Sequence, residues 1–199
     1  MSLPPLALFP ATASAIGGRL ALGGVDAERL VEEHGTPLYV YDESTLAERA
    51  RAYVEGFRAA TGGRCRVVFA SKACPVPGVM RVLRSQGVGV DVASAGEVAA
   101  ALAAGFTGAE MVVHGNAKSP ADVAAALAAD AALVVVDGAD DVELVAFHAR
   151  ALGRVQDVLV RVNPDVAVDT HEKIRTGHAS SKFGVAPDAA ADLIARLPA

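Results

Sequence analysis

Tryptophan is absent from this 199-residue chain, aromatic residues make up only 5% of it, and cysteine occurs just twice. Cys65 and Cys74 are too few for a disulfide framework, and no His–Cys cluster has zinc-ligand spacing, so no metal is expected. Both cysteines are expected to be reduced thiols, as in a cytosolic protein. Positive charge is also in short supply. The 18 Lys and Arg residues face 23 Asp and Glu, for a net charge of -5 and a pI near 5.5. That balance argues against a nucleic-acid binder, which would show a basic footprint. No apolar run approaches the roughly 18 residues of a membrane span, because Arg, Asp or Glu interrupts each long one. The apolar opening MSLPPLALFPATASA carries no Lys or Arg before Arg19. The charged n-region of a secretory signal is therefore missing, and a cytoplasmic location is expected.

Lysine itself is scarce. Only four of the 18 basic residues are lysines: Lys72, Lys118, Lys173 and Lys182. Arginine is always charged, whereas lysine can lose its proton and become a nucleophile. In an arginine-preferring chain, a lysine at the end of an apolar run is therefore a candidate for chemistry.

What the chain does have is a 52% hydrophobic composition, enough to bury a substantial core. After Pro37 short apolar runs alternate with Ala-rich helical stretches. The runs are Arg66–Ser71, Val88–Ala93, Met111–His114, Ala132–Asp137 and Val158–Asn163. They are Val-rich and too short for helices, so they predict buried parallel strands. Helical spacing covers Pro77–Ser85, Ser94–Ala104, Ser119–Ala129, Ala139–Leu152 and Pro187–Leu197. Ser94 and Ser119 are N-cap candidates, followed three residues later by Glu97 and Asp122.

Regular βα units build either an open doubly wound sheet or a (β/α)8 barrel. An open dinucleotide-binding sheet would carry G-x-G-x-x-G after its first strand. The corresponding turn here reads SKACPVPG, and no G-x-x-x-x-G-K-[ST] occurs anywhere. The expected fold is thus a partial (β/α)8 TIM-like barrel. It would have about five of eight βα units and be truncated before the barrel closes, since such barrels take roughly 250 residues. Residues 1–36 do not fit the rhythm and are expected to belong to another element.

In a barrel, chemistry sits where the strands end. Those positions hold Lys72, Asp91, His114 with Asn116, Asp137, and Arg161 with Asn163. Asp137, directly before Gly138, reads more readily as a helix cap than as a ligand. His114 alone reads as a packed core histidine. Asp91 interrupts an apolar strand, and a buried carboxylate needs a partner. A buried, neutral Lys72 could form a Schiff base with an aldehyde. Equally, it could pair with Asp91 and do nothing more. Residue chemistry leaves both open.

The segments HGTPLYVYD (34–42), FASKACPVPGVMRVL (69–83), GVGVDVASAGEV (87–98), VHGNAKS (113–119) and TGHASSKFGV (176–185) closely resemble diaminopimelate decarboxylases. That family belongs to the barrel class of pyridoxal-phosphate enzymes, with ornithine and arginine decarboxylases and alanine racemase. The resemblance implies pyridoxal 5'-phosphate as cofactor, with Lys72 in Schiff-base linkage to it and Asp91 close to that lysine. It further implies His114 and Asn116 at the barrel mouth, Arg161 reaching toward the cofactor, and Lys182 beside the ring hydroxyl. Residues 1–36 would belong to a second, β domain, with 37–199 an incomplete cofactor-binding barrel. The substrate would be a small amino acid, most readily meso-diaminopimelate giving L-lysine and carbon dioxide, and the complete protein would be a homodimer. Many relatives have Asn where this chain has Cys74. The family's cofactor-stacking histidine, glycine-rich phosphate loop, acidic partner for the pyridine nitrogen and partner-subunit cysteine all come later. The chain is therefore expected to be an N-terminal fragment, inactive alone. Two alternatives stay open: another barrel-class decarboxylase or racemase, and a non-catalytic protein that only holds the cofactor.

Overall fold

The computed structural model describes residues 5–164 and 183–197. The chain divides into two compact units, one of residues 1–67 with 78–88, the other of 68–77 with 89–199.

In the first unit, β1 (Ser14–Ile16), β2 (Arg19–Leu22) and β3 (Val25–Asp26) form an antiparallel meander. Its two turns are Gly17-Gly18 and Gly23-Gly24, all four at positive φ between 58° and 80°. A two-residue hairpin turn of this kind needs positive φ at both positions, which glycine adopts without steric cost. Helix α1 (Ala27–His34) starts at Asp26, whose carboxylate accepts the Glu28 N–H. The 19-residue α2 (Glu43–Thr61) is capped by Asp42, which accepts the Thr45 N–H at 2.7 Å. Thr12 Oγ1 donates to the other Asp42 oxygen at 2.6 Å. These bonds, that from Thr12 first, hold the Asp42 carboxyl below its ordinary range. Arg51 of α2 donates twice to Gln86 Oε1, just past α3 (Pro77–Ser85).

The second unit is the βα repeat. Strands β4 (Val68–Ala70), β5 (Gly89–Val92), β6 (Met111–Val113), β7 (Leu133–Val136) and β8 (Val158–Val160) pair in parallel in chain order. Between them or after them come α4 (Ala95–Ala103), α5 (Pro120–Ala128), α6 (Ala139–Ala151) and α7 (Pro187–Ala195). This is the partial barrel that the Val-rich runs predict. Each observed strand lies inside its predicted run. The first and last are shortened most, to three residues each: β8 ends at Val160, and Val162 instead makes an isolated parallel bridge to Val185. Asn163 N–H donates to Val185 O at 2.8 Å and Val185 N–H to Arg161 O at 2.9 Å. A sixth strand position thus begins at Val185, beyond the five predicted.

Val90, Val92, Val134 and Val136 are fully buried, as are Met111, Val123 and Ala126. Ser119 makes a complete capping box: its hydroxyl accepts the Asp122 N–H, and the Asp122 carboxylate accepts the Ser119 N–H. Cys65 and Cys74 are not joined in a disulfide. Among the described residues no helix is long and apolar enough to cross a membrane.

Candidate active site

Successive strand residues point to opposite sides. Val90 and Val92 are fully buried, and Asp91 between them projects the other way. There it lines a cavity of about 240 Å3, together with Lys72, Glu97, His114, Asn116 and Arg161. Five of the six predicted site residues therefore meet around one space. Lys182, the sixth, lies outside the described residues. The volume is just under the roughly 300–1,000 Å3 of small-molecule pockets, consistent with a partial barrel supplying part of the wall.

Lys72 departs from expectation in its setting. It stands on a three-residue 3-10 turn, Ser71–Ala73, directly after β4, and the residue is exposed rather than buried. Its exposure comes from projecting off that turn, where it lines the cavity, and not from the strand itself. Nor is Lys72 the ion-pair partner of Asp91. Among the described residues His114 is the basic group against it, with Nδ1 3.5 Å from Asp91 Oδ2, an ion pair when the imidazole is protonated. Burial pushes the Asp91 carboxyl above its ordinary value, against the opposing pull of His114 and, less, of Lys72. The repulsion of Glu97 adds to the rise. Asp91 therefore holds a proton more readily than an exposed aspartate does.

His114 and Asn116 flank Gly115, which sits at φ 95° with an ideal Cβ only 3.2 Å from Ala93 O. Asn116 is exposed at the rim. Lys118, two residues on, is buried and ion-pairs with Asp141 at 2.8 Å.

The helix-cap reading of Asp137 fails. The N-cap of α6 is Gly138, with no side-chain cap, and the acceptor at this helix start is Asp141, which receives the Asp137 N–H at 2.9 Å. Both Asp137 carboxylate oxygens are buried without a hydrogen-bond partner among the described residues, and Arg161 Nη1 lies 3.8 Å from Oδ1. On its other side Arg161 stands 4.6 Å from the centre of the Phe183 ring. Aspartate and aromatic ring together aim the guanidinium into the cavity, a charge and cation–π arrangement worth about 0.5–2 kcal/mol for the ring alone.

Glu97 was not among the predicted site residues, although it lines the cavity. Its place three residues after Ser94 marks it as a capping-box partner, and that local pattern hides the other use of its side chain. Among the described residues no cluster of His, Cys, Asp or Glu is arranged to hold a metal.

A cavity with an approachable amine, a half-buried carboxylate and an oriented guanidinium suits a ligand carrying an aldehyde and anionic groups. Known proteins agree with that chemistry. Residues 43–198 match the family described as pyridoxal-dependent decarboxylase, pyridoxal binding domain. The chain is 40% identical over 167 residues to the diaminopimelate decarboxylase of Bacillus subtilis, covering 84% of this chain and 38% of that protein. Against the Actinosynnema pretiosum diaminopimelate decarboxylase, identity is 44%, covering 84% of this chain and 36% of that protein. Among solved structures, diaminopimelate decarboxylase from M. jannaschii in complex with L-lysine superposes with a TM-score of 0.81 at 29% identity. That match covers 94% of this chain and 45% of the other. The chain thus spans less than half the length of these relatives. An amine at a barrel mouth, set among these polar groups, and a family match across most of the chain lead to one conclusion: the chain belongs to the pyridoxal-dependent decarboxylases, in their pyridoxal-binding domain.

Proposed function

We propose that the complete protein is a carboxy-lyase that converts meso-diaminopimelate to L-lysine and carbon dioxide in lysine biosynthesis. The observation that carries this reading is the convergence of Lys72, Asp91, His114 and Arg161 on one cavity in a chain 40–44% identical to diaminopimelate decarboxylases. The diaminopimelate reading is favoured over an ornithine-type one by fold similarity. The lysine/ornithine decarboxylase of Vibrio vulnificus superposes with a TM-score of 0.65, against 0.81 for the M. jannaschii protein.

Pyridoxal 5'-phosphate, when bound, supplies an electron sink for the pair left behind as the carboxylate departs. The residues present fit that group. Lys72 would hold its aldehyde carbon through Nζ, and as a free amine it could carry a proton at that nitrogen. Asp91, its carboxyl raised by burial and lying next to His114 Nδ1, tunes the charge near Lys72. Arg161, held between Asp137 and Phe183, presents a fixed cation to anionic groups. His114 and Asn116 form the rim on the β6 side, and Lys182 is a further cofactor contact. Residues 1–36 belong to a second β domain, and the working unit is a cytoplasmic homodimer.

The test uses an extended protein, this chain carried to the length of its relatives. It should release carbon dioxide from meso-diaminopimelate, and little from ornithine. Borohydride reduction followed by peptide mapping should trap the cofactor on Lys72. Trapping at another lysine, or an undiminished imine absorbance in Lys72→Ala, would overturn the assignment.

A further inference from the structure

The residue before the candidate cofactor lysine is the most tightly enclosed polar side chain of the site. Ser71 has no exposed surface, unlike Lys72 beside it. Its hydroxyl lies between two acceptors, Asp91 O at 2.9 Å and Glu97 Oε2. Glu97 Oε2 also accepts the Ala93 N–H at 3.0 Å. The parallel ladder between β4 and β5 ends at Ala70 and Asp91. Past that point the Ser71 hydroxyl continues the tie between the 3-10 turn and the end of β5.

Glu97 makes these bonds by abandoning a local one. The pattern Ser94-x-x-Glu97 is a capping box, in which the glutamate side chain returns to the N–H of the cap serine. The first half forms: Ser94 Oγ accepts the Glu97 N–H at 3.2 Å. The carboxylate, however, goes to Ala93 and Ser71 instead. The neighbouring Ser119–Asp122 box, by contrast, is complete. A side chain that leaves a satisfied local arrangement for a cavity wall marks a site where function overrides local preference.

We propose that Ser71 and Glu97 form a clasp that positions Lys72. Glu97 anchors the Ser71 hydroxyl to the end of β5, and this fixes the short turn from which the Lys72 amine enters the cavity. This rests on the assignment of Lys72 as the cofactor lysine. Ser71 and Glu97 are positioning residues, acting through the direction of the amine. Misplacement of a reacting group by about 1 Å can cost on the order of a hundredfold in rate, so the direction of the short turn that carries Lys72 matters to the chemistry. The negative charge of Glu97 has a second effect: after burial, it contributes to the raised carboxyl of Asp91.

The experiment measures how fast Lys72 couples to added pyridoxal phosphate in the apo form of the extended protein. Stopped-flow absorbance follows the imine band, and borohydride trapping with peptide mapping identifies the lysine. Ser71→Ala and Glu97→Ala should each slow coupling by roughly tenfold or more, with the melting temperature of the apo protein nearly unchanged. Glu97→Gln keeps an oxygen that can accept from Ser71 and Ala93, so it should restore the rate to within about threefold of the parent. Coupling within twofold of the parent in Ser71→Ala would overturn the clasp. So would a Glu97→Gln rate as slow as that of Glu97→Ala. Should Glu97→Ala fail to fold, Ser71→Ala, which removes one oxygen, decides the matter. If the parent itself traps at a lysine other than Lys72, the cofactor assignment fails instead, which separates the two ideas.

Discussion

The Lys118–Asp141 pair gives a quantitative test of how the cavity wall is held. The Lys118 side chain is 1% exposed and that of Asp141 13%, with Nζ 2.8 Å from Oδ2. The same oxygen accepts the Asp137 N–H at 2.9 Å. One carboxylate thereby joins the loop after β6, which carries Asn116, to the first turn of α6 and to the residue that faces Arg161. A buried pair often stabilises no more than an apolar replacement of both partners, because desolvation offsets the attraction. Removing one partner is different, since a charge is then stranded. Lys118→Met keeps most of the side-chain stem and strands Asp141, so the expected loss is about 3–5 kcal/mol. In Lys118→Met/Asp141→Leu no charge is stranded, and the remaining cost is the orphaned Asp137 N–H, about 1–3 kcal/mol. The double variant should therefore be more stable than the Lys118→Met single, and the cycle should show coupling of at least about 2 kcal/mol. Urea unfolding of the extended protein with linear extrapolation supplies the numbers. Repeating it in high salt should change little, because buried pairs are poorly screened. A Lys118→Met cost below about 1 kcal/mol, the size of an exposed pair, with no coupling, would refute the reasoning.

Three further predictions concern the cavity and its completeness. Burial raises the Asp91 carboxyl in the folded chain, so its proton binds more tightly there than in the unfolded chain. The stability it contributes is full below its ordinary value and is lost as pH rises through the raised one. Asp91→Asn should flatten that part of the pH–stability curve in urea titrations and leave neutral-pH stability intact while weakening cofactor linkage. A variant that unfolds at neutral pH would instead make Asp91 a packing residue. Gly115→Ala places a Cβ 3.2 Å from Ala93 O at a φ of 95°, at a cost of about 1–2 kcal/mol from the backbone alone. It should lower the melting temperature and displace His114 and Asn116, so unchanged cofactor affinity would count against their place at the rim. The 199-residue chain by itself should release no carbon dioxide from meso-diaminopimelate. Leu159 and Val162 are exposed at the β8 side, where only the Val162–Val185 bridge continues the sheet among the described residues, leaving an open edge prone to association. Release at a rate near that of the extended protein would contradict this.

The framework of the second unit is legible in the sequence because each strand obeys a simple rule. A Val-rich run of four to six residues between turn signals predicts a buried strand, and the mostly buried β5, β6 and β7 come out within one residue of their predicted runs at each end. Where burial is one-sided the rule weakens. The 19-residue α2 buries only Ala50 and Val54, so its apolar stripe is too thin to read as a helix. The meander of β1 to β3 is likewise written in its two Gly-Gly turns rather than in its short, mostly exposed strands.

The site divides along the same line. Asp91, His114 and Arg161 stand out because they are polar groups at the ends of apolar runs, and the strand register alone brings them together. Glu97 and Asp137 do not stand out, because each sits where a local motif already accounts for it: a capping box for Glu97, an Asx cap for Asp137. The structure shows both motifs declined. Glu97 turns to Ser71 and Ala93, and Asp137 turns to Arg161 while Asp141 takes the acceptor role at α6. A carboxylate can satisfy a helix terminus at low cost near solvent, so carrying it into a cavity wall instead requires a partner there that benefits. In both cases that partner is a group aimed at the cavity: the turn of Lys72 in one, the guanidinium of Arg161 in the other. The carboxylates least visible to local sequence rules are thus the ones that orient the two cations the chemistry needs.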